Sequence, residues 1–169
     1  MMVDLTFIYA AAVLAGTYFA ASLLWPMLAG GAGYSTTPGN AIAEALDLCR
    51  MSREETFYDL GCRTGEVLIE ASKICDHVKG IEIEPIRWLI SRIRAGKRAR
   101  VILGNFFKQD ISDADVVFIF QYKGEINSRI AEKIKRGTRR GTRVVSYMHP
   151  VENMKLMRRQ EEIFVYEVE

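Results

Sequence analysis

Two acids and a glycine turn are the residues of this chain best suited to chemistry. The run Asp59-Leu60-Gly61-Cys62-Arg63-Thr64-Gly65 puts a carboxylate two residues before a turn, and Glu82 follows 17 residues after Gly65. A carboxylate beneath a tight turn can accept backbone N–H groups or face an ammonium ion. A second carboxylate at the end of the next strand can accept both hydroxyls of a ribose through its two oxygens. The pattern is not a dinucleotide fingerprint, which needs glycine at its first, third and sixth places; here those are Gly61, Arg63 and Glu66. Without that close glycine approach a pyrophosphate fits poorly. A ligand with a ribose, a cationic amino-acid tail and no phosphate fits better, and S-adenosylmethionine is such a ligand. The plain alternative is a tight turn followed by a solvated strand-end acid.

These side chains need a strand, a turn and a helix to hold them, and the pattern supplies all three repeatedly. Thr56–Leu60 (TFYDL) is a short apolar run that reads as a buried strand, and 65–74 has helical spacing through Val67, Leu68, Ala71 and Ile74. Residues 78–83 read as a second strand, with Pro85 opening a helix that carries Ile86, Leu89, Ile90 and Ile93. Arg100–Leu103, 115–120 and 143–148 read as further strands, and 125–135 as a helix. DVVFIF at 115–120 is the most apolar, as a central parallel strand should be. Before the first strand, Thr37 can cap a helix with Pro38 in its first turn, and Ile42, Ala45, Leu46 and Cys49 share a face. Segments 154–158 and 163–168 around a polar turn look like an antiparallel hairpin. The expected fold is α/β, a doubly wound and mostly parallel seven-stranded sheet ending in that hairpin.

The charge distribution divides the chain. Residues 1–43 carry one charged side chain, Asp4, and the rest of the 23 Lys+Arg and 21 Asp+Glu fall in 44–169. Leu5–Leu28 is 24 residues without a charge, about 36 Å as a helix, against roughly 30 Å of bilayer hydrocarbon. The expectation is one transmembrane helix before the α/β domain, with a signal peptide or buried core helix as rivals; Met1–Asp4 lacks the basic n-region of a signal. Phe7, Tyr9 and Trp25 suit interfacial positions, and the later basic residues place the C-terminal part in the cytoplasm, giving a single-pass membrane protein. Ala12, Gly16 and Ala20 form a small-xxx-small face suited to a partner helix, though an Ala-rich span produces such spacing by chance. Gly30, Gly31 and Gly33 make a link, so the domains read as 1–33, anchor and link, and 34–169, α/β domain. Cys49, Cys62 and Cys75, with only His77 and His149, suggest neither a disulfide framework nor a metal site.

DLGCRTG resembles the glycine motif of class I S-adenosylmethionine-dependent methyltransferases. Four further segments, YSTTPGNAIAEAL, KGIEIEPIRWLISRIRA, GNFFKQDISDADVVFIFQ and GTRVVSYMHP with IFVYEV, resemble the ATP-synthase c-subunit lysine N-methyltransferase family and its small prokaryotic relatives. The resemblance implies a Rossmann-like methyltransferase sheet and S-adenosyl-L-methionine as cofactor. It implies cofactor contacts at Asp59, at Gly61, Cys62, Arg63, Thr64 and Gly65, at Glu82, and at Asn105 and Phe106. The 34–38 segment, including Thr37 and Pro38, looks like the part that closes over the cofactor. Tyr34, Asn105, Gln121 and Tyr122 are candidate acceptor-side catalytic residues. Arg63 departs from the pattern, because its Cβ stands where the motif has its middle glycine.

The expected activity is methyl transfer to a lysine of a membrane-associated protein. The alternatives are a silent adaptor on the same fold, or a methyltransferase for RNA or a small molecule. Arg87–Arg100 and the 133–143 stretch each hold six Lys/Arg and no acid. They read as contacts for anionic lipid or as solvated helix ends, and nucleic acid as a partner is disfavoured because no aromatic interleaving or known module accompanies them.

Overall fold

The computed structural model describes residues 5–28, 39–120 and 124–169, with the side chains of 22–28 and Asn40 left aside. Tyr34, Thr37, Pro38, Gln121, Tyr122 and the glycine link at 30–33 lie outside the described residues. Seven strands form one sheet: β1 Thr56–Leu60, β2 His77–Glu82, β3 Arg100–Leu103, β4 Val116–Ile119, β5 Arg143–Tyr147, β6 Lys155–Gln160 and β7 Ile163–Glu167. Their order is β3-β2-β1-β4-β5-β7-β6. The first five run parallel, while β7 is antiparallel to β5 and to β6. The helices are α1 Leu5–Leu28, α2 Gly39–Leu48, α3 Glu66–Ala71, α4 Pro85–Ala95 and α5 Glu125–Gly137. The chain thus winds outward from β1 to β3, then restarts on the other side of β1 with β4, and the reversal puts a crevice at the carboxyl ends of β1 and β4.

Helices on both faces explain why β4 is apolar without alternation, since all four of its residues are buried. Neighbouring residues of β1 point to opposite faces. Phe57 packs with Ile42, Leu46, Leu68, Val145 and Val165 on the side of α2 and α3. Tyr58 and Leu60 pack with Ile81, Ile111, Ile130 and Ile134 on the side of α5. The exposed edge, β6, slips register between Leu156 and Arg158 and carries Lys155, Arg158 and Arg159, devices that discourage edge pairing.

Element ends differ from the sequence expectation by a residue or two, and α3 by more. It stops at Ala71, because Lys73 and Ile74 donate their N–H groups to Glu70 and Ala71 three residues back, and the Ser72 hydroxyl bonds the Ile69 carbonyl at 2.7 Å. Those tight turns end the helix before the 65–74 pattern is complete.

The expected transmembrane anchor requires correction. Among the described residues no helix is long and apolar enough to cross a membrane. The α1 helix is tied to the α/β domain, where the Tyr18 hydroxyl donates to Oε1 of buried Glu84. A hydrocarbon environment would penalise such an ionised partner heavily. The single-pass membrane localisation with a cytoplasmic C-terminal domain is withdrawn with the anchor. Along the Ala12, Gly16 and Ala20 face, a Cβ placed on Gly16 meets nothing within 4 Å among the described residues.

Candidate functional site

The turn after β1 is fastened to β2 before any ligand is considered. Gly61 and Cys62 both donate their N–H groups to the Ile81 carbonyl, at 2.9 and 3.0 Å, and Gly65 N–H closes back on the Cys62 carbonyl at 2.8 Å. Arg63, where the motif expects glycine, takes φ 49°, inside the left-handed region that costs an L-residue roughly 1–2 kcal/mol. Its N–H donates to Glu82 Oε2 at 2.8 Å, which fixes the turn in that conformation. Gly65 is needed twice over. It has φ 86°, and a Cβ there would lie 2.6 Å from Ser91 Oγ and 3.3 Å from Ser91 Cα, so α3 and α4 meet only because the side chain is absent.

Cys62 contributes backbone to the turn but not its side chain. Its thiol is buried and turned inward, so close to Gly80 that a Cβ on that glycine would stand 2.7 Å from Sγ. Thr64 Oγ1 donates to both Glu66 oxygens at 2.8 and 2.9 Å. Arg94 of α4 reaches across to the Thr64 carbonyl at 2.9 Å and Glu66 Oε1 at 2.5 Å. Burial pushes the Glu66 carboxyl up, but these hydrogen bonds outweigh it and hold the group below the usual carboxylate range.

The two acids are both buried, yet differently surrounded. Glu82 accepts three backbone N–H groups: Arg63 on one oxygen, and Ile83 at 3.0 Å and Glu84 at 2.9 Å on the other. Burial still pushes its carboxyl up, with those donors and the Arg87 charge pulling back. Each oxygen retains capacity for a further donor such as a hydroxyl. Asp59 is buried, and its carboxyl is pushed up to about 8 by burial, then by the charges of Glu82 and Glu66, with Arg63 opposing. A site of this kind is short of positive charge. A ligand carrying a sulfonium and an ammonium would supply it, so the residues fit S-adenosylmethionine.

After β3, Asn105 caps the short turn Phe106–Lys108, its Oδ1 accepting the Phe107 N–H at 2.9 Å. Phe106 is buried with Tyr58, Leu60 and Ile81, which makes its ring part of the core. The structure therefore gathers Asp59, the 61–65 turn and Glu82 at the ends of β1 and β2, with Asn105 following the end of neighbouring β3.

Two contributors were not anticipated. Glu84 caps α4, accepting from Ile86 and Arg87 N–H at 3.1 and 2.8 Å and from Tyr18. The only hint was Pro85 at the first helical position, which marks its predecessor as a cap. Arg94 lies one helix away from the turn it clamps, and only the fold brings them together.

The ANTKMT methyltransferase domain family matches residues 59–158. A protein-lysine N-methyltransferase of Saccharolobus islandicus (strain REY15A) is 36% identical over 121 residues, covering 68% of this chain and 74% of its own. Among solved structures, an RNA methyltransferase from Salinibacter ruber in complex with S-adenosyl-L-homocysteine superposes with a TM-score of 0.70 at 25% identity, over 79% of this chain and 92% of that one. TrmN from Thermus thermophilus shares the fold, with a TM-score of 0.66 at 13% identity, over 79% and 50% of the two chains.

Proposed function

The chain belongs to the ANTKMT methyltransferase domain family and is an S-adenosylmethionine-dependent methyltransferase, and on that premise we propose that its acceptor is a lysine side chain of a protein. The observation carrying the lysine reading is the 36% identity, across most of both chains, to the Saccharolobus islandicus protein-lysine N-methyltransferase. When bound, the cofactor supplies a methyl group on a sulfonium, which an uncharged amine takes by in-line displacement while S-adenosylhomocysteine leaves. The amine must first give up its proton, and a desolvated cleft assists by disfavouring the ammonium form.

The protein's work is positioning and charge. In this reading Glu82 holds the ribose hydroxyls, its carboxylate oriented by three N–H groups. Asp59 balances the ligand's positive charge, and the backbone of Gly61 to Gly65 cradles its amino-acid portion. Arg94 and Glu66 keep the end of that cradle still. Asn105, held by the turn it caps, is the residue proposed to read the adenine edge. Tyr34, Gln121 and Tyr122 are the proposed acceptor-side residues, and the proposed catalytic unit is 34–169.

The full chain, incubated with methyl-labelled S-adenosylmethionine and a lysate of its host, should place label in protein that hydrolyses to methyllysine. Label recovered in nucleic acid and not in methyllysine would overturn the lysine reading.

A further inference from the structure

The 133–143 run holds six cations, but its members do different jobs. Lys135 donates to the Asn153 carbonyl, Arg139 pairs with Asp115, and Arg143 pairs with Glu55 and bonds the Cys49 and Arg50 carbonyls. Those three tie loops and strands together. Lys133 and Arg136 instead line a cavity of about 350 Å³ with Arg129, Glu132, Phe107 and Gly137. Arg129, Lys133 and Arg136 are four and three residues apart, so they share one face of α5.

Two of these cations are held in place. The Arg129 guanidinium lies over the Phe107 ring, 4.9 Å from its centroid, which leaves its N–H edge available to a planar anion. Lys133 Nζ donates one hydrogen to the Gln109 carbonyl at 2.7 Å, and its remaining hydrogens can serve a ligand. Glu132, 3.8 Å from Arg136, leaves the lining with a net charge of +2 from Arg129, Lys133 and Arg136 against one carboxylate. Phe107 belongs to the turn that Asn105 caps, so the cavity adjoins the proposed cofactor site along the chain.

We propose that this cavity between α5 and the Phe106–Lys108 turn binds a carboxylate-bearing segment of the protein substrate, so that lysines with nearby acidic residues are preferred. The proposal rests on the lysine reading above. An acidic peptide fits better than a nucleic acid for two reasons. Lys135, Arg139 and Arg143 are engaged within the chain, so they add little to a continuous basic track beside the cavity. The aromatic ring in the lining, Phe107, lies between the Arg129 guanidinium and the Phe106 ring, 4.4 Å away, and is poorly placed for base stacking.

Fluorescence anisotropy on the full chain tests this with two short labelled peptides, each with one central lysine, flanked by glutamates in one and glutamines in the other, and with a labelled oligouridylate. The acidic peptide should bind about tenfold more tightly than the neutral one at low salt. Arg129→Gln with Arg136→Gln should remove that preference while leaving S-adenosylmethionine affinity unchanged by calorimetry. Glu132→Gln should strengthen acidic-peptide binding about twofold, a gain that misfolding cannot imitate. Equal binding of the two peptides, an unchanged preference in the double variant, or stronger binding of the oligouridylate overturns the proposal. Methyl transfer is scored on the same peptides. Equal binding with equal lysine labelling sinks the cavity and supports the lysine reading, whereas selective binding with no lysine labelling supports the cavity and counts against the lysine reading.

Discussion

At the end of β2 a buried carboxylate is wrapped in backbone N–H groups, while near the end of β1 another is pressed by burial and by like charge. Glu82 is oriented by the Arg63, Ile83 and Glu84 amides, so its two oxygens are already aimed before a ligand arrives. Asp59 sits in a place that favours its neutral form near pH 7, its carboxyl pushed up to about 8. Glu82 is built as a geometric acceptor, and Asp59 as a group whose charge a cationic ligand draws out. Spacing alone makes the two look equivalent; the difference lies in how many N–H groups the surrounding turns direct at each one.

The largest effect expected from breaking this contrast is at Glu82. Glu82→Ala removes the proposed ribose acceptor and leaves three amides without their partner, so S-adenosylmethionine affinity should fall more than about 100-fold by calorimetry. An unchanged affinity would show that the ribose is held elsewhere. Asp59→Asn should weaken the cofactor about tenfold, by losing the charge and not the shape.

The same substitution has a signature in stability. The folded protein keeps the Asp59 proton up to about pH 8, and the unfolded chain gives it up near its ordinary value of about 4. The contribution of Asp59 to stability is therefore present at low pH, falls as pH rises from about 4 to about 8, and is flat above that. Thermal melts across this range should show the variant gaining on the wild type as pH rises. A constant difference would mean that Asp59 is not held neutral.

Arg63→Gly sharpens the contrast from the other side. It relieves a left-handed arginine worth roughly 1 kcal/mol, offset in part by the extra freedom of glycine when unfolded, so the melting temperature should rise slightly. It also removes the cation that favours ionised Asp59, which should move the Asp59 midpoint further up. A lower melting temperature would show that the guanidinium stabilises the turn more than its backbone strains it. Smallest of all, Tyr18→Phe deletes one hydrogen bond to Glu84 at a residue 42% exposed, and about 0.5 kcal/mol should be lost by chemical denaturation. No loss would separate α1 from the shell around Glu82.

The alternation of strands and helices was legible because a doubly wound sheet leaves its mark on apolar spacing, as the unbroken VVFI of β4 shows. Asp59 and Glu82 were legible because strand ends follow from those runs. Side-chain direction was not. Cys62 turns inward because Gly80 leaves a gap for sulfur on the adjacent strand, a cross-strand match that no local pattern contains. Phe106 enters the core because the turn capped by Asn105 rotates it there. The apolar stretch of α1 was misread for a related reason. Its composition suits a bilayer, whereas the Tyr18 contact with Glu84, 66 residues away, ties it to the α/β domain.

The inward thiol has a further consequence. A cysteine inside a cofactor loop would ordinarily be a point of attack for peroxide or alkylating agents, and ligand binding would shield it. Here the Cys62 thiol is 3% exposed and its pKa is driven well above the usual thiol value by burial and then by Asp59 and Glu82, so almost none of it is thiolate. Iodoacetamide should label it only as fast as the protein unfolds, with or without cofactor. The loop can therefore carry a cysteine at its centre without making methyl transfer answer to the redox state of its surroundings.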